Sequence, residues 1–557
     1  MNTMEIANAL RDRLGPALLS AHEPVAGKLY LEVEAAALVE AARWVQDNLK
    51  GRFVITSATD RRQTDGGFAV THFFSLDPEK VFVCITTRLP EGNEVVDSIT
   101  PTVPAANWAE REIQDMLGIK AEGHPDPRRM IVADDWPEGI YPLRKDVPYD
   151  LHPPAQAGVE MKFKTPPPGT STVVVGPFYP VLEEPAQFRL YVDGERVVDC
   201  DYRGFYSHRG IEKLGDSVLT YNEIPFVAER ICGICGFIHS TCYCEAAEEA
   251  GGIEVPRRGR YIRTLMLEIE RIHSHLLWLG IAGHIIGFDT VLMQSWRIRE
   301  PIMWLCEQIT GNRKTYGMNL VGGVRRDVPA EIHPKILDVI KKIEDETLAV
   351  ANAIVGDTPL NMRTHDVGRL TEEAARRLCV VGPVARASNV PIDARVDHPY
   401  AAYDELPPKV CYNNACDVHG RLVVRVEETF DAIRLVRETL KNMPDGPIMA
   451  EIKELIPAGR EGLRTIEAPR GEAIHYVLSG PDNRPERWRV RAPTYANLQA
   501  IPTMIQGETI ADVPIILGSI DPCFSCTERV ETVDMKTGEE RSISRQELEE
   551  LSRNRKR

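Results

Sequence analysis

Two cysteine pairs far apart in the 557-residue chain carry its strongest chemical signal. They are Cys232 and Cys235 in Arg-Ile-Cys-Gly-Ile-Cys-Gly, and Cys523 and Cys526 in Asp-Pro-Cys-Phe-Ser-Cys. A CxxC spacing lets two thiolates converge on one soft metal ion, and two such pairs supply four sulfurs for a tetrahedral or distorted-tetrahedral centre. Zinc knuckles, thioredoxin-like redox sites and iron-sulfur loops share that spacing. The flanks narrow the choice. Arg230 precedes the first pair, a glycine follows each of its cysteines, His239 and Ser240 lie just beyond, and Asp521-Pro522 opens the second pair. A structural zinc site needs none of these flanking residues.

With those flanks, Arg230-x-Cys-Gly-x-Cys-x-x-x-His239 and Asp521-Pro-Cys-x-x-Cys526 resemble the two nickel motifs of the large subunit of nickel-iron hydrogenases. The resemblance implies that Cys232 and Cys523 bind nickel terminally, while Cys235 and Cys526 bridge it to an iron carrying carbon monoxide and cyanide. It also implies roles for three further residues. Glu212, in His-Arg-Gly-Ile-Glu-Lys, would take a proton from Cys523, a role suited to a partly buried carboxyl whose pKa is raised by desolvation. The competing reading pairs Glu212 with Lys213 or Arg209 at the surface. Arg470, in Glu-Ala-Pro-Arg-Gly-Glu, would hang over the open metal position, where an always-charged planar donor is useful, and Asp521 would orient it. His365 and Arg386 are expected near the metal or as structural hydrogen-bonding groups. The family's maturation cut, three residues past the last cysteine, would fall between Arg529 and Val530. Most of the family has His where this chain has Arg529, and the resemblance implies a magnesium or iron ion near the mature C-terminus.

Composition sets the remaining bounds. With 43% hydrophobic and 27% charged residues the chain reads as globular, and its net charge of -16 argues against nucleic acid as a partner. The longest apolar stretch, Leu276 to Phe288, is broken by His284 and falls short of the roughly 20 residues that span a bilayer. No secretory or twin-arginine signal is legible, so the twelve cysteines read as reduced thiols and ligands, in a cytoplasmic protein attached to the membrane through partners. Cys242, Cys244, Cys411 and Cys416 fit neither a zinc ribbon nor a ferredoxin run and read as small buried thiols. With no cysteine set for an iron-sulfur cluster of its own, the resemblance implies a small partner subunit bearing a four-iron four-sulfur centre. It also implies ferredoxin-like and membrane subunits related to complex I, a maturation endopeptidase and nickel-insertion proteins.

The fold class expected is α+β: a small N-terminal α+β domain, then a mainly helical catalytic domain with small β-hairpins. Residues 1–147 form the first domain, with a helix over 32–48 and strands at 53–56, 68–74 and 80–87. Its end, including His124 and Arg128, resembles the 30-kilodalton subunit of complex I and is expected to serve as a docking surface. Pro153-Pro154 and Pro166-Pro167-Pro168 mark a linker over 148–170. In residues 171–529, strands are expected at 172–178, 188–192 and 196–200 with a turn at Asp193-Gly194, and a short apolar strand at 515–519. Helices are expected at 256–280, the first of them amphipathic, and at 290–311, 332–355, 371–381 and 427–441. Residues 530–557 form a charged tail. The fusion resembles the complex-I-related, membrane-bound, hydrogen-evolving hydrogenases of the formate hydrogenlyase type. The alternative is a metal-free complex-I-like subunit lining a quinone site, whose relatives lack both CxxC pairs and carry histidines in the loop that here spans 176–185.

Overall fold

The computed structural model describes residues 1–151, 153–154, 156, 159, 161–176, 186–206, 208–452 and 456–523, and the backbone of a strand pair at 532–533 and 540–541. Cys526, Arg529, Val530 and loop 177–185 lie outside these residues.

Helix α1 (Thr3–Leu14) opens the chain with a capping box in which Asn2 and Glu5 satisfy each other's backbone N–H groups. The N-terminal sheet contains β1 (Leu18–Val25), β2 (Lys28–Val33), β3 (Arg52–Arg61), β4 (Gly67–Leu76) and β5 (Val81–Pro90), in the order β1-β2-β5-β4-β3. Only β2 and β5 run parallel within it. Residues 32 and 33, expected in a helix, close β2, and the helix α2 (Leu38–Leu49) follows, burying Leu38, Ala41, Ala42 and Val45 along one face. A parallel pair, β6 (Val95–Asp97) and β7 (Lys120–Glu122), brackets α3 (Asn107–Leu117), which packs on edge strand β3.

The second body begins with an antiparallel sheet of β8 (Ser171–Val175), β9 (Gln187–Asp193) and β10 (Arg196–Arg203), and the hairpin turns at Asp193-Gly194 as expected. Helices α4 (Ile211–Ser217), α5 (Ile224–Ala228), α6 (Gly236–Gly251), α7 (Arg257–Ile285) and α8 (Asp289–Thr310) follow. A two-residue pair, β11 (Asn319–Leu320) and β12 (Gly323–Val324), precedes α9 (His333–Val355) and the short α10 (Thr358–Thr364), α11 (Glu372–Arg377), α12 (Pro383–Arg386) and α13 (Ala394–Asp397). After α14 (Val418–Lys441) comes a meander of β13 (Glu461–Ala468), β14 (Gly471–Ser479) and β15 (Pro485–Arg491), then α15 (Pro493–Asn497), α16 (Ile501–Ile505) and α17 (Val513–Ser519).

Other elements also differ from expectation, among them α11, which ends at Arg377 rather than at 381. Helix α7 is not amphipathic. It is buried almost all round at the centre of the bundle, and its Glu268, Glu270 and Arg271 are core residues; His273 and His275, two apart and so on different faces, are core histidines as their spacing leads one to expect. The run at 515–519 is helical, because Pro514 sits in the first turn of α17, where its missing N–H costs nothing. Helix α14 starts well before 427, at an Asp417 cap that accepts the Gly420 N–H at 2.8 Å.

A ladder of arginines joins the two bodies. Arg487, Arg489 and Arg491 alternate along β15, so they share one face. Their Nε atoms donate to the carbonyls of Ala58, Thr56 and Val54 on β3, at 3.0, 3.1 and 3.3 Å. These carbonyls lie on a sheet edge that would otherwise be open. Arg52 adds a buried bridge to Glu472 on β14. His124 and Arg128, expected on an outward docking surface, fasten the chain to itself. His124 is buried and accepts the Asp126 N–H, while Arg128 holds Asp126 and reaches Asp201 on β10 at 2.7 Å.

Candidate metal centre

Cys232 and Cys235 lie in the turn between α5 and α6, with Cys235 the last residue before the helix. Glu270 of α7 fixes that turn by accepting the Phe237 and Ile238 N–H groups, both at 3.0 Å, together with the Thr315 hydroxyl. The N–H groups of Ile234 and Cys235 point at Cys232 Sγ, 3.4 and 3.3 Å away, a setting that favours a thiolate. Cys523 arrives from the other end of the chain. Its N–H donates to Thr494 Oγ1, and its Sγ lies 3.3 Å from Cys232 Sγ. All three thiols are at most 4% exposed. Two sulfurs bound to one metal at about 2.3 Å lie about 3.3 Å apart at a right angle and about 3.8 Å apart at the tetrahedral angle. The observed separation therefore suits two ligands on one ion. Cys235 hydrogen-bonds to Cys232, and that contact, with burial, holds its thiol well above the ordinary pKa.

Arg470 projects from the two-residue turn between β13 and β14, where Ala468 pairs with Gly471. Gly471 packs so closely on Gly382, at φ +67°, that a Cβ on Gly382 would sit 2.2 Å from the Gly471 Cα. Arg470 Nε donates to the Asp521 carbonyl and Nη2 to Asp521 Oδ1, both at 2.9 Å, while Nη1 reaches Ser274 Oγ at 3.3 Å. Burial opposes its charge, but Asp521 and the three thiols raise its pKa well above the usual value. Asp521 itself adopts the left-handed region at φ +56°, two residues before Cys523.

His239, from the first turn of α6, stands beside this group. Trp488 Nε1 can only donate, and it donates to His475 Nδ1 at 3.1 Å. The His475 proton is therefore on Nε2, directed at His239 Nδ1 3.2 Å away, which places the His239 proton on Nε2. That buried N–H has no acceptor among the described residues, a defect that costs about 1 to 3 kcal/mol unless something fills the site. Buried thiols, backbone donors, a buried cation and an unanswered donor fit a thiolate-bound metal centre. Among the described residues no three metal-binding side chains form a cluster, and Cys526 lies outside them.

Glu212 departs from expectation in its ionisation. Burial pushes its pKa up, but Arg487 and Arg489 hold it at about 2. Its carboxylate accepts from Arg487 Nη2 at 2.6 Å, Arg489 Nη1 at 3.1 Å and the Val490 N–H at 3.0 Å. These partners are on β15, and neither Lys213 nor Arg209 is among them. The β15 partners lie some 275 residues further along the chain, where no local spacing signals them. Arg386 is buried in a network with Glu428 and Glu467, and His365 stacks on His419 at the surface. Cys242, Cys244 and Cys411 are buried thiols, and Cys416 is partly exposed.

Family models account for most of the chain. The nickel-dependent hydrogenase model matches residues 209–289, which include Glu212 and the first cysteine pair. The model of the 49-kilodalton subunit of respiratory-chain NADH dehydrogenase matches 286–464 and 454–529, and that of the 30-kilodalton subunit matches 31–153. Formate hydrogenlyase subunit 5 of Escherichia coli K12 is 40% identical over 534 residues, 95% of this chain and 94% of that protein. Hydrogenase-4 component G of the same strain is 38% identical over 556 residues, 99% of this chain and 97% of that protein. Among solved structures, a chain of the archaeal membrane-bound sulfane sulfur reductase matches with a TM-score of 0.62 at 29% identity, covering 65% of this chain and 99% of that one. The chain belongs to the complex-I-related family of nickel-dependent hydrogenase large subunits, in the group that contains formate hydrogenlyase subunit 5 and hydrogenase-4 component G.

Proposed function

We propose that this chain is the catalytic subunit of a nickel-iron hydrogenase that reduces protons to H2, reversibly, in a complex of the formate hydrogenlyase kind. The observation that carries the reading is the 3.3 Å meeting of Cys232 and Cys523, 291 residues apart in sequence, beneath a buried arginine. Cys232, Cys235, Cys523 and Cys526 would hold nickel and an iron with carbon monoxide and cyanide ligands, and the bound centre supplies the two-electron chemistry of H2 and protons.

The chain's own residues do the rest. Thiols buried this deeply must lose their protons to become ligands, and the donors around Cys232 and the charge of Arg470 favour that loss. Arg470 also pins the Asp521 turn that delivers Cys523. Cys523 is the proton acceptor nearest the reacting atoms, and Glu212 is the next carrier. With Arg487 and Arg489 holding the carboxylate well below the usual range, taking up a proton at neutral pH is uphill. Glu212 therefore serves as a transient carrier that holds no proton at rest.

Electrons come from a small partner subunit with a four-iron four-sulfur cluster. No helix among the described residues is long and apolar enough to cross a membrane, so attachment would run through complex-I-related membrane subunits. Removal of residues 530–557 by a maturation endopeptidase would complete assembly, with a magnesium or iron ion near the new C-terminus, and the intact mass of the purified subunit tests the cut. The principal test is metal content with an infrared spectrum of the complex from a host with nickel-iron maturation proteins. Nickel with bands from iron-bound carbon monoxide and cyanide is expected. Their absence, while a second hydrogenase matures normally in that host, would favour the metal-free quinone-site role.

A further inference from the structure

Glu212 is gripped by Arg489, but Arg489 is not held by the catalytic domain alone. Its other partner is Glu112 on α3, in the N-terminal domain, bound through both guanidinium nitrogens at 2.5 and 2.7 Å. Glu112 is fixed in turn by the Tyr495 hydroxyl at 2.7 Å, and Arg489 Nε is anchored on the Thr56 carbonyl. Arg489 Nη1 is therefore shared between two carboxylates from different domains. Both line one cavity of about 60 Å3, room for about four waters, which extends to Ile231 beside Cys232.

We propose that Glu112 is a positioning residue for the proton step at Glu212, setting through Arg489 where that carboxylate sits and how much positive charge it feels. The proposal rests on the proton role given to Glu212 above. Helix α3 packs on β3, and its Trp108 stacks on Tyr202 and meets Phe205 and Tyr495 edge-on, so apolar contacts already seat the helix without Glu112. A carboxylate there is buried against a guanidinium whose charge would otherwise fall on Glu212 alone.

The other charges around Glu212 do not substitute for it. Arg487 also grips Glu212, but it is partly answered by Asp216, which accepts from it at 3.2 Å and from the Trp488 N–H at 2.6 Å. Lys213 points away to the Arg144 carbonyl, and Lys145 donates to the Asp216 and Glu486 carbonyls. Arg209 holds the Arg230 and Ile231 carbonyls, and His208 lines the same cavity. Glu112 is thus the group whose charge offsets Arg489.

The sign of the effect separates positioning from mere support. Glu112→Gln keeps the side chain's size and removes its charge, so the whole charge of Arg489 acts on Glu212, making it a weaker base. Hydrogen evolution needs Glu212 to take up a proton, so the alkaline limb of its pH profile should move to lower pH by about one unit, a tenfold loss at a fixed pH on that limb. Glu112→Asp, which keeps the charge, should restore most of the rate. If Glu112 only propped the domain, its loss would free Arg489 and release Glu212, moving the limb to higher pH.

The test uses the purified complex, with nickel content and the infrared ligand bands confirming a loaded centre. A second readout is the pH profile of hydrogen/deuterium exchange between H2 and D2O, which passes through the same carboxylate and whose alkaline limb should also lie at lower pH in Glu112→Gln. An acid shift in both readouts is the expected result, and no shift or an alkaline shift overturns the proposal. If Glu112→Gln does not assemble, Tyr495→Phe carries the test. Removing the hydroxyl strengthens the pull of Glu112 on Arg489, so a smaller shift of both readouts to higher pH is expected, and no shift overturns the proposal. Glu212→Gln separates the two levels of inference. Full hydrogen evolution in that variant would remove the proton role of Glu212, whereas a crippled Glu212→Gln beside an unchanged Glu112→Gln would remove only the role of Glu112.

Discussion

Arg470→Lys is the most informative single change near the centre, because it keeps the charge and alters only geometry. Arg470 makes three contacts with three different nitrogens, two of them side by side on Asp521 O and Oδ1 at 2.9 Å. An ammonium is one atom with a shorter reach, and it cannot lie along both Asp521 acceptors at once. Losing one charge-assisted hydrogen bond costs about 1.5 to 3 kcal/mol, about a 10- to 100-fold fall in turnover if the lost contact matters in the reaction. Asp521 amplifies the effect. It sits in a left-handed conformation that a non-glycine residue adopts only under restraint, and it lies two residues before Cys523. Turnover per nickel, measured as hydrogen evolution with a soluble electron donor, should therefore fall 10- to 100-fold while nickel content stays within twofold of wild type. Turnover within twofold of wild type would refute the reasoning. A loss wholly explained by missing nickel would assign the clamp to metal insertion instead.

Three further outcomes follow from other parts of the fold. Glu270 is buried, and burial raises its pKa to about 8 against an unfolded value near 4.5, so between those values the folded chain holds a proton the unfolded chain has released. Stability then falls as pH rises, by up to about 5 kcal/mol across that window, and the unfolding rate should rise between about pH 5 and pH 8 more steeply in wild type than in Glu270→Gln. Equal slopes would show that Glu270 is ionised throughout. Gly382→Ala should abolish soluble expression of full-length protein, since its Cβ would meet the Gly471 backbone at 2.2 Å in a left-handed conformation, and a folded, active variant would contradict the close approach. Arg52→Ala removes the bidentate bonds to Asp77 and Glu472 and leaves the buried Glu472 and the part-buried Asp77 each short of a partner, a loss of about 3 kcal/mol at the domain junction. Limited proteolysis should then cut within the linker at 148–170 faster than in wild type, and an unchanged cutting rate would mean the arginine ladder alone holds the domains.

The sequence showed those parts whose cause is local. Strands β3, β4 and β5, the hairpin at Asp193-Gly194 and the long helices carry their period or turn residues within a few positions, and the structure has them. Where the cause is distant, the reading failed in a consistent direction. The amphipathic reading of α7 failed because the partners that let its carboxylates be buried lie elsewhere in the chain: Arg395 and Tyr403 for Glu268, and the Phe237 N–H for Glu270. Glu212 failed the same way. Desolvation alone would raise its pKa, and the two arginines that reverse the sign stand on β15, some 275 residues on. At the centre, cysteine spacing foretold that thiols would meet, but the Ser274, Thr494 and His475-Trp488 contacts that hold the surrounding groups carry no spacing signal.

Helix α14 shows why such distant charges persist in the core. Arg421 and Arg425, one turn apart, are both buried, and burial lowers them to about 9 and about 10, so each still carries its charge at neutral pH. Arg425 has two guanidinium nitrogens without hydrogen-bond partners among the described residues and lies 4.2 Å over the Trp278 ring. A core optimised for stability would place leucine or methionine there, since well-packed apolar residues often match or exceed buried charges. Asp521 is the largest influence restoring the charge of Arg425, and Arg470, on the same aspartate, faces the three thiols. The positive charge therefore concentrates where ionised thiolates must sit in a medium that disfavours them. The buried charges of this core are thus the electrostatic counterpart of the proposed centre, and Asp521 links the turn before Cys523 to Arg425 on α14, far from either cysteine pair in sequence.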